Sequence, residues 1–505
     1  MRLCALAPTL LMGTTTLVAA NERPNIIIFL VDDMGVMDTS LPFLTDRDGN
    51  PQRYPLNEWF YTPNMERLAG QGVRFSRFYA QSVSSPTRAS IVTGQNSTRH
   101  GISTWIKPDE NNRGEYGPEG WNWEGLTSRD ITLPRLLQKD GYKTILVGKA
   151  HFGCATAEGA DPKAIGFDVN IAGSAIGHPG SYFGTMDFGA KAKRTTHAVP
   201  DLERYHGEDI FLTEALTREA IAQIDIAAEG SDPFFLYMSH YAVHTPFATD
   251  KRFVERYKNR GRLKWEEDYA SMVEGMDLSL GDIMDHLQKR GIAENTLIIF
   301  LGDNGTTHLA DQPKSHDGAF PLRGIKACEY EGGVRVPFIA AWGAVDSHNP
   351  HQQRLGIKQN SIQQQLGTVM DIMPTILSAT GTKLPKKATI DGVDLAPQLR
   401  GERNEERSER VLMHYPHEHR GSYFTTFIDA GWKLIYYYNP ACPALPQYEL
   451  YDLEKDPYEN TNLATTESEK LFELCKGMSA QLEAEGAQYP QTKDGKILKP
   501  VIPTL

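Results

Sequence analysis

The stretch Ser84-Ser85-Pro86-Thr87-Arg88-Ala89-Ser90-Ile91-Val92-Thr93-Gly94 puts a hydroxyl in front of a helix start. Ser85 suits the cap and Pro86 the first helical position, where a missing N–H costs nothing. The unpaired N–H groups of that first turn face back toward Ser84 and favour an anion there. Arg88 adds a fixed positive charge near the same turn. A nucleophile, a helix N-terminus and a guanidinium suit an ester of a tetrahedral oxyanion. The same stretch also reads as an ordinary helix start, so the rest of the chain must supply the other parts of such a site.

Those parts recur at the ends of apolar runs. Residues 23–31 form a continuous, β-branched run that stops at Asp32-Asp33. Two adjacent carboxylates repel each other unless a cation sits between them. Residues 296–301 form another such run, which stops at Gly302-Asp303-Asn304. Asp303 and Asn304 offer the hard oxygens that Ca²⁺ prefers, with Mg²⁺ as the second choice. With Asp32 and Asp33 they make an all-oxygen set of three negative charges. Residues 142–147 lead into Lys149 and His151, an ammonium and an imidazole able to hold an oxyanion and move a proton. Residues 234–239 lead into His240 and His244. In open α/β sheets ligands gather at the carboxyl ends of the strands, so these groups are expected to converge.

The motifs resemble those of the type I sulfatases and occur in that family's order. They are Asp-Asp after the first strand, Ser84-x-Pro86-x-Arg88, Lys149-x-His151, His244-Thr245-Pro246, Asp303-Asn304-Gly305 and Arg323-Gly324-x-Lys326. Residues 321–338, with Tyr330-Glu331-Gly332-Gly333-Val334-Arg335-Val336-Pro337, are similar to the family's second signature. The chain departs from the pattern at Ala150, where an aromatic residue is usual, at Ile325, where glycine is common, and at Thr306. The resemblance implies an alkaline-phosphatase-like α/β sandwich with a mostly parallel central sheet, plus a small C-terminal antiparallel sheet with a helix. It implies formylglycine made from Ser84 and a cation held by Asp32, Asp33, Ser84, Asp303 and Asn304. It further implies that a hydroxyl of the hydrated aldehyde attacks sulfur in line and that His244 protonates the departing alcohol. His151 takes the second hydroxyl's proton, Lys149 and Lys326 neutralise the sulfuryl oxygens, and Arg88 holds the diol. Serine at position 84 resembles the bacterial branch served by a serine-accepting maturase.

Two other readings compete. A phosphoesterase of the same superfamily would use unmodified Ser84 with two transition metals, and Asn304 argues against it. An inactive relative that binds sulfated glycans would not need Lys149, His151, His244 and Lys326 all intact.

The elements that must position these groups follow from pattern. Apolar runs alternate with helical periodicity, as in an α/β fold. Helices are expected at 62–69, from the Ser85 cap onward, at 133–139, 210–226, 269–290, 369–377 and 467–485. Residues 111–125 and 166–182 read as loops, the second lying over the site. Segments 424–428 and 432–437 alternate about Asp429-Ala430-Gly431, a hairpin pattern. The charged run 401–410 places a boundary between a catalytic domain, 21–405, and an α+β subdomain, 406–505. Residues 1–20 resemble a signal peptide ending at Val18-Ala19-Ala20, which implies export to the periplasm or beyond. No later run is apolar enough to span a bilayer.

At 505 residues, 23% charged and net charge -12, the chain is an ordinary globular one without the basic face of a nucleic-acid binder. An anionic substrate must therefore be met by a local cationic pocket. The expected substrate is a sulfated sugar at the end of an oligosaccharide. His178, Tyr182, His240, His308, His316 and His417 are candidate contacts for its hydroxyls and ring faces. The five cysteines have no metal-ligand spacing.

Overall fold

The computed structural model describes residues 23–193, 195–307, 318–419, 422–441 and 447–504. The signal-peptide segment 1–20, Cys4, Cys442, His308 and His316 lie outside them. No helix among the described residues is long and apolar enough to cross a membrane.

The run of apolar residues after Pro24 becomes a strand, Asn25–Val31, buried on both faces. Ile27, Phe29 and Val31 enter one core and Ile26, Ile28 and Leu30 the other. That is why the sequence shows no alternation: a strand between two helical layers has no polar face. It is flanked by Phe234–His240 and Thr296–Gly302, both parallel to it. The full sheet runs Val169–Ile171, Lys143–Gly148, Phe234–His240, Asn25–Val31, Thr296–Gly302, Phe338–Trp342, Val73–Phe75, Ser361–Gln363. Of these, Phe338–Trp342 runs antiparallel to both of its neighbours. Helices Pro63–Gln71, Leu212–Ala228 and Lys264–Arg290 bury residues in the first core. Helices Ser84–Thr93, Leu133–Lys139 and Ile372–Thr380 bury residues in the second.

Several boundaries differ from the pattern reading. The Ser84 helix begins at Ser84 itself, with Val83 as the extended residue before it. Ser85 does not cap it; its hydroxyl accepts the Ile106 N–H at 3.0 Å. The long helix starts at Lys264, five residues before the apolar periodicity begins. Glu266 accepts the Leu263 N–H at 2.8 Å, so an acidic first turn supplies what hydrophobic spacing does not. The 166–182 segment contains a short edge strand, Val169–Ile171. The charged run 401–410 leads directly into a strand, Arg410–His419.

That strand opens a four-stranded antiparallel sheet completed by Ser422–Asp429, Trp432–Tyr437 and Tyr448–Asp452. Helix Ser468–Glu485 covers one face with Leu471, Leu474, Cys475, Met478 and Leu482. The other face packs Tyr415, Phe424, Ile435 and Tyr451 into a cluster with Val83 and Ala327. The small sheet therefore backs the residues just before Ser84 and just after Lys326.

A buried ion cluster joins the two parts. Lys433, on the small sheet and fully buried, sits 3.1 Å from Glu331 and 2.7 Å from Glu459. Glu459 also accepts the Glu331 N–H at 2.9 Å, and Tyr79 donates to Glu331 at 2.9 Å. Burial opposes charge on Glu331, but Lys433 and Arg335 outweigh it and hold its carboxyl below the ordinary range. Lys433→Met leaves two buried carboxylates short of a cation. We expect it to lower unfolding stability by about 3–5 kcal/mol, read from urea denaturation. A change below about 1 kcal/mol would show that the cluster does not hold the two parts together.

Candidate active site

Strand register brings the chemistry to one edge of the sheet. Val31 pairs with His240 on one side and Gly302 on the other, and Gly148 pairs with Ser239. The residues that follow each pair leave the sheet together: Asp32-Asp33, Asp303-Asn304, Lys149 and the turn 241–244. Backbone bonds tie these exits to each other. Asp303 N–H donates to Val31 O at 3.1 Å, Lys149 N–H to Ser239 O at 2.8 Å, and Asp32 N–H to Ala242 O at 2.9 Å. Three non-glycine residues here hold left-handed backbone: Asp33 at φ 60°, His151 at 58° and Ala327 at 67°. Each costs an L-residue about 1–2 kcal/mol, an expense that packing around a site must sustain.

The Ser84 helix points its first residue into this edge. Ser84 Oγ lies 3.0 Å from Asp32 Oδ1 and 3.3 Å from Asn304 Oδ1, and it accepts from Lys149 Nζ at 3.2 Å. Lys149 Nζ also donates to Asp32 Oδ2 at 2.6 Å, and Lys326 Nζ to Asp33 Oδ1 at 2.5 Å. Arg88 is fully buried and spends its guanidinium on the framework. It donates to Asp303 Oδ2 at 3.1 and 2.8 Å, to Ser239 Oγ at 2.6 Å and to Lys149 O at 3.1 Å. Asp32, Asp33 and Asp303 thus take their shortest ion-pair contacts from three different cations: Lys149, Lys326 and Arg88.

Asp32, Asp33 and Asp303 offer carboxylate oxygens within 4.8 Å of one another, all buried. Among the described residues Asp33 Oδ2 accepts no hydrogen bond, and His244 Nε2 lies 3.5 Å from it. Asn304 donates its amide nitrogen to Asp33 Oδ1 and turns its carbonyl oxygen toward Ser84. An all-oxygen, buried donor set with an orphaned carboxylate oxygen fits a hard divalent cation.

The protonation states follow from burial and neighbours. Burial works against the Asp33 charge, but His244 and Lys326 outweigh it and hold the carboxyl below its ordinary range. Burial lowers Lys149, with Asp32 pulling the other way. Burial and then Lys149 drive His151 well below the usual imidazole range. Its Nε2 faces Ile106 O at 2.7 Å, so that nitrogen carries the proton and Nδ1, buried without a partner among the described residues, is the acceptor. Burial takes His244 to about 3, against the pull of Asp33. Its Nδ1 faces Thr245 O at 2.9 Å, which leaves Nε2 facing the acids.

Asp32, Asp33, Ser84, Arg88, Lys149, His151, His244, Asp303, Asn304 and Lys326 are therefore gathered at one edge. His178 is beside them, its ring stacked on His244. His240 is not: it points into the helical layer, bonded to Ser279 at 2.9 Å and packed on Phe29. Alternation along its strand decides this, since Ser239 takes the face toward Arg88. His417 is likewise spent on structure, bonded to Ser103 at 2.8 Å and packed on Trp121. Tyr182 is buried and donates to Tyr241 O and His244 O. Sequence reasoning missed Ser239, although its place at the end of a strand, out of phase with His240, was the available signal.

Residues 24–382 match the family model described as Sulfatase, and residues 326–488 match the model for the C-terminal region of N-sulphoglucosamine sulphohydrolase. A mouse protein named N-acetylgalactosamine-6-sulfatase is 33% identical over 415 residues, covering 79% of this chain and 71% of its own. A protein of Formosa agariphila named sulfatase is 28% identical and covers 94% of this chain and 91% of its own. The solved structure of Ps i-CgsB in complex with k-i-k-neocarrahexaose has the same fold, with a TM-score of 0.72 at 24% identity. It covers 94% of this chain and 96% of its own.

Proposed function

The chain belongs to the sulfatase family, a group of sulfuric ester hydrolases, and from that premise we propose that it removes sulfate from the terminal sugar of a sulfated glycan, using a formylglycine made from Ser84. The observation that carries this reading is the setting of Ser84 Oγ, within 3.3 Å of Asp32, Asn304 and Lys149 beside three buried carboxylates. Asp32, Asp33, Asp303 and Asn304 would hold Ca²⁺, with Mg²⁺ as the alternative. When present, the cation supplies Lewis-acid charge and formylglycine supplies a nucleophilic hydroxyl with a second hydroxyl on the same carbon.

The chain's own residues do the rest. Lys149 and Lys326 flank the acids with two ammonium groups, placed for the oxygens of a sulfuryl group. Fixed charge in a water-poor site acts on developing charge without reorganising. His244 Nε2 faces the acids and carries the proton to the departing alcohol oxygen. An anionic ester bound beside the ring favours its protonated form. His151 Nδ1 is the acceptor for a proton released at position 84. Arg88 holds Asp303 and the turn at Lys149 in place. A serine-accepting maturase acts on the chain during biosynthesis, and the protein is exported.

The relatives support the sugar: one is named for a sulfated hexosamine, and one neighbour's title names a carrageenan-type hexaose. Screening N-acetylgalactosamine 6-sulfate, galactose sulfates, glucosamine sulfates and carrageenan oligosaccharides against 4-nitrophenyl sulfate tests the substrate class. At least one sugar should exceed the aryl sulfate in kcat/KM by about 10-fold, a gain of about 1.4 kcal/mol in transition-state binding. Preference for small aryl or choline sulfates over every sugar would sink the proposal. Metal analysis separates the phosphoesterase reading, which requires two transition-metal ions per chain.

A further inference from the structure

One loop bears on both histidines that move protons in this reading, and we propose that its His178 is a positioning residue that fixes the ring plane of His244. The inference rests on the assignment of His244 as proton donor. The His178 ring lies parallel to His244, 8° between planes and 5.5 Å between centroids. His178 also stacks on His197, 4.0 Å between centroids and 12° between planes. His178 Nδ1 faces Pro179 O at 3.0 Å, which sets the ring's own rotation. His178 is thus near-parallel to both rings, and His244 reaches Asp33 at 3.5 Å.

The same loop grips the neighbourhood at three more points. His151 N–H donates to Ser174 O at 3.0 Å. Gly177 passes so close to the His151 ring that a Cβ there would sit 2.9 Å from Cε1. Tyr182 OH lies 2.8 Å from His244 O. These contacts fix where the loop lies; they leave the tilt of the His244 ring to other neighbours. Among the described residues its own polar holds are Thr245 through Nδ1 and, more loosely, Asp33 at 3.5 Å. An imidazole's outer torsion is broad, and an acid must be held within about 10–20° of its working direction. A parallel ring against its face supplies that restraint.

The test compares His178→Ala and His178→Phe with the parent on 4-nitrophenyl sulfate and phenyl sulfate. The more basic leaving group of the second needs a proton more. His178→Ala should lose about 10- to 100-fold in kcat on phenyl sulfate, and less than about 3-fold on 4-nitrophenyl sulfate, with KM little changed. His178→Phe keeps a flat ring and should recover most of the loss. Protein with ¹³C-labelled histidine and no added metal gives a readout independent of turnover. The His244 Cε1–H signal should move in His178→Ala and stay near its parent position in His178→Phe. Equal losses on both esters, a Phe variant no better than Ala, or an unmoved His244 signal would overturn the proposal. His244→Ala is the benchmark. If its losses do not depend on the leaving group, the donor assignment falls and the inference with it. A steep His244→Ala series beside a flat His178→Ala one overturns the inference alone.

Discussion

Produced in a host without a serine-accepting maturase, the protein will fold normally and hydrolyse sulfate esters at least about 10³-fold more slowly than matured protein. Losses of that size or larger follow removal of a nucleophile. Conversion of Ser84 removes two hydrogens and adds no bulk, so it changes the reacting group and leaves packing alone. Ser84 is buried, and its oxygen already sits among Asp32, Asn304 and Lys149. An unmodified hydroxyl there has no second hydroxyl on its carbon to drive release and is open to trapping as a sulfate ester. Ser84→Cys made in a host that oxidises cysteine should recover activity, and Ser84→Ala should be inactive in every host. Peptide mass spectrometry reads the modified fraction directly, and that fraction should track the rate. Full turnover by protein whose Ser84 is shown to be plain serine would refute the formylglycine mechanism and favour the phosphoesterase reading.

Six of the residues that the structure gathers at one edge share one property: Asp32, Asp33, Ser84, Lys149, Asp303 and Asn304 stand just after a buried strand or at a helix start. Asp32-Asp33, Lys149 and Asp303-Asn304 follow apolar runs, and parallel pairing in register then leaves little choice about where they meet. Ser84 was legible for the same reason, although the helix takes it as its own first residue. What was not legible depends on which way a side chain turns. His240 and Ser239 are neighbours in sequence, yet one bonds Ser279 in the helical layer and the other bonds Arg88 at the site. His417 lies on a strand that the pattern reading left unassigned, so nothing pointed to its partner Ser103, more than 300 residues away in the chain. The Glu331–Lys433–Glu459 cluster was not legible either: Lys433 sits on a strand the hairpin pattern does mark, but its two partners lie 102 residues before it and 26 after it, and no spacing links them. Glu331 belongs to the second signature. Pairing with a lysine on the small sheet shows it to be a joint between the two parts.

Asp303→Ala will lose both activity and stability, and the second loss is one that sequence alone does not suggest. A carboxylate read only as a metal ligand is expected to be dispensable to the fold. Here Asp303 Oδ2 accepts two hydrogen bonds from Arg88, and Oδ1 accepts the Asp33 N–H at 2.9 Å, all in a fully buried setting. Burial penalises the Arg88 charge, and Asp303 first and Asp32 second hold the guanidinium protonated. Without Asp303, Arg88 keeps Ser239, a carbonyl and Asp32 at 3.8 Å, so a buried cation loses its main partner. Breaking a buried pair in this way costs about 3–5 kcal/mol. Asp303→Asn keeps the shape and a neutral acceptor for Arg88. It should therefore recover part of the stability while remaining at least about 10³-fold down in kcat/KM, the scale on which removing key charge stabilisation acts. Calcium-dependent melting separates the two roles. Ca²⁺ at 100 times its dissociation constant should stabilise the parent by about 2.7 kcal/mol, and the shift should be absent from both variants. Near-normal turnover by Asp303→Ala after chelation, or an undiminished calcium shift in Asp303→Asn, would show that the three carboxylates are not the cation's seat.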